Sequence, residues 1–142
     1  MGVLTDFVVA KESEAAEVAH AHADNPKWRR WDCKGIDHIL LAGLYEVLTD
    51  RPADEAVEDL EQIAEGGDDG PWVYLVPREW VEAIAAIDDD HMGAASRAWA
   101  LRGEWTERGE PEPDLSEYVK LLREASRAAR DSNQSLLMWM CL

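Results

Sequence analysis

Residues 28 to 38 read WRRWDCKGIDH, a short run that holds two Trp, two Arg, two Asp, a Cys, a Lys and a His. The sharpest chemistry this run could do is nucleophilic. Cys33 would be the thiolate, lowered in pKa by Lys34 or a nearby imidazole, with His38 as base. Asp37 would orient the imidazole. The competing account is structural: Gly35-Ile36-Asp37 opens a Leu-rich segment, where Asp is a natural N-cap whose carboxylate is taken up by backbone N–H groups. That account is the stronger, so no residue is assigned as catalytic. Cys33, Asp37 and His38 stand as the candidates for any catalysis.

Metal ligation is the next chemistry to weigh. His20, His22, Cys33 and His38 are ligand types for zinc. His20 and His22 are two apart in a segment expected to be helical, so they face different directions. The spacing from Cys33 to His38 matches no standard zinc pattern. Asp88-Asp89-Asp90-His91 offers oxygens to a divalent cation. Acids collected at a helix start complement its dipole, which explains them without an ion. The run EGGDDG lacks the Lys-Ser/Thr of a phosphate loop, and neither G-x-S-x-G nor H-E-x-x-H occurs. The expectation is no metal and no cofactor.

Lys27, Arg29, Arg30 and Lys34 form the densest basic cluster of the chain, with Trp28 and Trp31 between them. Such a patch can stack bases or sugars. The favoured reading is that it pairs with the acidic segment 54–69. Where the patch is functional, Trp28, Arg29, Arg30, Trp31 and Lys34 are the ligand- or partner-binding set. A second basic run, Lys120, Arg123, Arg127 and Arg130, recurs at helical spacing. It reads as a solvated face paired with Glu117 and Glu124.

The elements that must position these groups follow from hydrophobic period and breakers. VLTDFVVA (3–10), WVYLV (72–76) and QSLLMWMCL (134–142) read as strands. DHILLAGLYEVLTD (37–50) reads as a helix capped by Asp37, with a Leu stripe at 40, 41, 44 and 48. Residues 11–24 read as a helix ended by Asn25-Pro26, and 53–65 as a short acidic helix bearing Val57, Leu60 and Ile63, with Gly66 past its end. Pro77 opens another helix with Trp80, Val81, Ile84 and Ile87. A further helix covers 88–105, and 106–114 is a charged loop. Asp114 and Glu117, spaced as a capping box, open the longest helix over 115–133.

The chain has 142 residues, 46% hydrophobic and 31% charged, which fits one soluble domain over 1–142. The net charge of -16 opposes nucleic-acid phosphates and anionic membrane surfaces, and speeds encounter with a basic protein. No apolar run approaches the ~18 residues of a membrane span. The two Cys, without a visible secretory signal, read as free thiols in a cytoplasmic protein.

In order and type, MGVLTDFVVA, GIDHILLAGLYEVLTD, WVYLVPREWVEAIAAID and the long last helix running into an apolar strand resemble the YfbM-like family of small bacterial proteins of unknown function. Asp50 stands where that family usually has Gly, and 102–114 does not match clearly. The resemblance implies an α+β fold and supplies no catalytic residues. The expected architecture is α+β, a small three-stranded or slightly larger sheet made from the first, middle and last strands, with about five to six helices packed against it. The expected function is non-enzymatic protein binding of an immunity or antitoxin type, by a monomer or by a homodimer joined through an unpaired sheet edge. The alternative is a small-molecule-binding protein or enzyme that uses the 28–38 segment, with Cys33 and His38, together with the loop before Trp72.

Overall fold

The computed structural model describes residues 3–21 and 27–142. His22 and the Asn25-Pro26 stop lie outside the described residues. The elements are β1 (Leu4–Ala10), α1 (Ala15–His20), β2 (Arg29–Asp32), α2 (His38–Thr49), α3 (Ala53–Ala56), β3 (Glu61–Glu65), β4 (Trp72–Leu75), α4 (Arg78–Ala85), α5 (Met92–Ala100), α6 (Gly103–Glu107), α7 (Ser116–Ser132) and β5 (Ser135–Cys141). The fold is α+β. Its sheet has five strands in the order β2-β1-β5-β4-β3, with every neighbouring pair antiparallel.

The three expected strands are β1, β5 and β4, and they sit side by side at the centre of the sheet. Two more strands flank them. The first is Arg29–Asp32, inside the basic cluster. The second is Glu61–Glu65, expected to be the tail of an acidic helix. That helix is cut short: α3 ends at Ala56, a 3-10 turn covers Val57–Asp59, and the chain then extends to pair with β4. Glu, Gln and Ala favour helices, and the ladder to β4 overrides that preference.

Period-two alternation divides the sheet into two faces. Phe7, Val9, Trp31, Leu136, Met138 and Met140 bury against the larger helices in one core. Val8, Ala10, Trp28, Val73 and Leu137 form a smaller core on the other face with Ala15, Val18 and Ala19 of α1. Within the larger core, Trp80 stacks on Tyr45 with centroids 5.0 Å apart. The Trp99 indole N–H donates to the Leu40 carbonyl at 2.8 Å, fixing α5 against α2. Gly43 has a packing reason in α2, because a Cβ there would stand 2.8 Å from the Arg102 side chain. Arg102 bridges Glu46 of α2 and Glu104 of α6.

The expected helix 88–105 is two helices, with the break at Leu101 and Arg102. Asp114 does not join Glu117 in a capping box. It accepts from both the N–H and the hydroxyl of Ser116, the first residue of α7. The basic stripe of α7 is also not a solvated face. Arg127 donates to the carbonyls of Ala85 and Ile87 at 2.9 and 3.0 Å, and Arg123 donates to Ile87 at 3.1 Å while pairing with Asp89. These side chains satisfy carbonyls at and just beyond the end of α4, which has no further turn to donate N–H groups to them. Arg130 pairs with Asp131, and Lys120 is exposed.

Arg127→Ala leaves carbonyls at the end of α4 unpaired and costs about 1–3 kcal/mol in urea unfolding. Lys120→Ala stays within about 0.5 kcal/mol. Asp50, the C-cap of α2, holds φ 64 in the left-handed region. Glycine reaches that region without Cβ crowding, so Asp50→Gly raises stability by roughly 0.5 kcal/mol in the same assay. A loss of stability there would contradict this account of the cap.

Candidate functional site

The 33–38 segment is fixed to the sheet before it enters α2. The backbone N–H groups of Cys33 and Gly35 donate to the carbonyls of Thr5 and Val3, both at 2.9 Å. The Thr5 hydroxyl donates to the Ile36 carbonyl at 2.7 Å. Gly35 holds φ 92, a left-handed conformation that glycine takes without strain. Asp37 then caps α2 as expected, accepting from the Leu40 N–H at 2.9 Å. Its other carboxylate oxygen accepts from Arg108, which lies beyond α6. The Tyr118 hydroxyl, near the start of α7, donates to the Lys34 carbonyl at 2.7 Å. One loop is thereby tied to β1, to α6 and to α7.

These ties surround a cavity of about 730 Å³ at the end of the sheet where β1 begins and β5 ends. Trp72, Tyr74 and Met140 line it from the sheet. Trp105, Arg108, Glu110 and Tyr118 line it from the helical side, and Lys34 to His38 complete the wall. The His38 ring stacks on Tyr74 at 6.0 Å and 18°, and Trp105 meets Trp99 edge-on at 5.5 Å. Burial raises the Tyr118 phenol above its usual range, with Cys33, Glu110 and Asp32 adding to the effect. Among the described residues, the His38 Nδ1 and the Trp105 indole N–H are buried without a hydrogen-bond partner.

The candidates named from sequence divide sharply. Lys34, Asp37 and His38 line the cavity, and Cys33 does not. Cys33 is 0% exposed, and burial, with smaller contributions from Asp32 and Asp6, pushes its thiol up to about 12. A thiol held neutral and sealed off is the opposite of an activated nucleophile. Asp37 is fully engaged by Leu40 and Arg108, which leaves it no part in orienting an imidazole.

The basic aromatic cluster is not a surface patch. Trp28 is 7% exposed and Trp31 is 8% exposed, on opposite faces of the sheet. Arg30 turns inward, donates twice to Asp6 at 3.0 and 3.1 Å, and lies over the Trp139 ring at 5.3 Å. Arg29 lies over Trp31 at 4.8 Å and stays exposed. The expected pairing of the cluster with segment 54–69 is replaced by nearer partners. Lys27 pairs with Glu17 at 2.6 Å and Glu14 at 3.5 Å, and Arg30 pairs with Asp6. The strand order explains this, because β2 and β3 lie at opposite edges of the sheet.

Other candidates resolve to local structure. Asp88 accepts from the backbone and ring of His91, at 2.9 and 2.6 Å, and Asp89 pairs with Arg123. Among the described residues, no three His, Cys, Asp or Glu side chains are gathered to hold a metal ion. Of the cavity residues, Tyr74, Trp105, Arg108, Glu110 and Tyr118 carried no functional signal in the sequence. The loop before Trp72 did, through its position beside the 28–38 segment in the alternative reading.

The Cys33 environment sets a pH test. The folded thiol keeps its proton up to about 12, against an ordinary 9.0 when unfolded. Between those values the native state binds more protons than the unfolded state, so stability falls as pH rises across that window. The slope reaches about 1.4 kcal/mol per pH unit. Cys33→Ala makes that alkaline loss shallower in urea melts, and native Cys33 resists iodoacetamide at pH 8 until the chain is unfolded. Rapid native alkylation at Cys33 would refute this burial. No protein-family model, curated protein or solved structure matches the chain.

Proposed function

We propose that this chain is a non-enzymatic protein-binding module of the immunity or antitoxin kind, which captures a basic protein along one acidic flank. One observation carries the reading. Residues 52–77 hold eight carboxylates and no Lys or Arg, and they include the edge strand β3. Glu61 and Glu65 are exposed on that strand. Its ladder is made with β4 alone, so among the described residues no strand pairs with its outer edge, which suits an incoming strand. A second copy of β3 would bring like charges opposite each other, which disfavours homodimerisation through this edge. A basic extended segment meets complementary charge there, and its encounter is accelerated by the field of the whole chain.

The same field works against phosphate polymers and anionic lipid surfaces, so neither is the proposed partner. No helix among the described residues is long and apolar enough to cross a membrane. Cys33 and Cys141 are both free thiols, which supports a cytoplasmic setting. The resemblance to the YfbM-like family is kept as part of this proposal. The left-handed Asp50 cap supports it, because glycine at that place is what such a backbone favours.

The test is capture by the immobilised chain at low and high salt, alongside the double variant Glu61→Lys, Glu65→Lys. The expected result is one basic protein retained at low salt, released at high salt and lost by the variant. Hydrogen exchange should slow across 61–65 when that protein is bound. Capture indifferent to the charge reversal, or no slowing at β3, would overturn the reading.

A further inference from the structure

We infer that the cavity between the sheet and the starts of α2 and α7 is a binding site for a planar aromatic carboxylate. This site is independent of the β3 edge. At about 730 Å³, its volume lies within the roughly 300–1,000 Å³ of small-molecule pockets. Its walls are aromatic, with Trp72 and Tyr74 from the sheet and Trp105 and Tyr118 from the helical side. Rings on both sides suit a flat conjugated body, which gains from stacking and edge contacts as well as from area.

Hydrogen-bonding capacity decides the polar group. Trp105 is 4% exposed, yet its indole N–H has no acceptor among the described residues. An indole can only donate, and the Trp105 nitrogen is closed to solvent, so Trp105 serves the cavity by its ring. The Lys34 ammonium lines the cavity and has no carboxylate within ion-pair distance among the described residues, and it too can only donate. The local acids do not supply the missing acceptor. Asp37 is spent on Leu40 and Arg108. Glu110 is exposed at the wall and is an anion that an incoming carboxylate must avoid. A ligand with an anionic end and an aromatic body pairs with Lys34 and fills the space between the rings. A purely cationic ligand would leave Lys34 unpaired and would be repelled by it.

The probe is 2-naphthoate, with the similarly sized cation 2-naphthylmethylammonium as its control. Both are titrated into the full chain at physiological salt and followed by the indole N–H resonances of a nitrogen-15-labelled sample. The expected result is saturable binding of naphthoate in which the Trp105 and Trp72 resonances move most. Lys34→Ala should weaken it roughly tenfold and Lys34→Arg should restore most of it, as expected for loss and return of one charge-assisted contact. The Glu61→Lys, Glu65→Lys variant should bind naphthoate as the unaltered chain does. Shifts spread over all Trp resonances, equal affinity in Lys34→Ala, tighter binding of the ammonium, or no saturation would each overturn the assignment. Lys34 is exposed, so its variants fold and keep the test decisive.

Discussion

The structure depends on the antiparallel pairing of β1 with β5. Seven register pairs join them, from Leu4 with Cys141 to Ala10 with Ser135. Both strands are covered on both faces along most of their length, which is why their sequences run VVA and LLM without polar relief. An apolar run of that kind has no stable place at a sheet edge, so each of the two must be flanked. β2 adds to the free side of β1 and β4 to the free side of β5. Once the pair is formed, the larger face offers Phe7, Val9, Leu136 and Met138 to α2, α4 and α7, and the helical layer can assemble on it.

The cavity inherits its geometry from the same pair. Val3 and Thr5 at the start of β1 hold the 33–36 segment by three hydrogen bonds, and that segment sets where α2 begins. Met140, near the end of β5, lines the cavity beside Trp72. Helix starts are the natural way to close such a space, since their free N–H groups need polar company. Asp37 satisfies one at α2 and Asp114 satisfies one at α7. The acid that caps α2 also holds Arg108, so the element that starts the helix anchors the far wall as well.

Much of this frame was legible from hydrophobic period. The central strands, α2, α4 and α7 have one or two buried faces that dictate their residue types. The edge strands were not legible for a physical reason. β3 is acidic and rich in helix formers, and only the ladder to β4 makes it a strand. β2 reads as a basic cluster because its pattern of buried and exposed positions takes meaning only beside β1. The roles of Arg123 and Arg127 were hidden for a similar cause. Their spacing shows that they share a helix face, and it cannot show that the face meets the end of α4. Within the site, the cap at Asp37 was written in local sequence. Its partner Arg108 is 71 positions away, and no local pattern reports a contact at that separation.

The fate of WRRWDCKGIDH follows from backbone period. In an extended strand, neighbours point to opposite faces, so chemical types that crowd together in sequence are separated in space. Trp31 goes to the helical core with Phe7, whereas Trp28 and Arg30 go to the other face with Val8 and Asp6. The cluster therefore cannot act as one patch while β2 stays paired. Grouping happens instead where the strand stops. Gly35 turns the chain, the period changes, and Lys34, Asp37 and His38 meet aromatic residues supplied by β4, α6 and α7. Cys33 is the last residue before that turn, with its N–H still bonded to Thr5, and its side chain is spent on the core rather than on chemistry. What the sequence concentrates in eleven residues, the fold divides between a sealed interior and the lip of an open cavity.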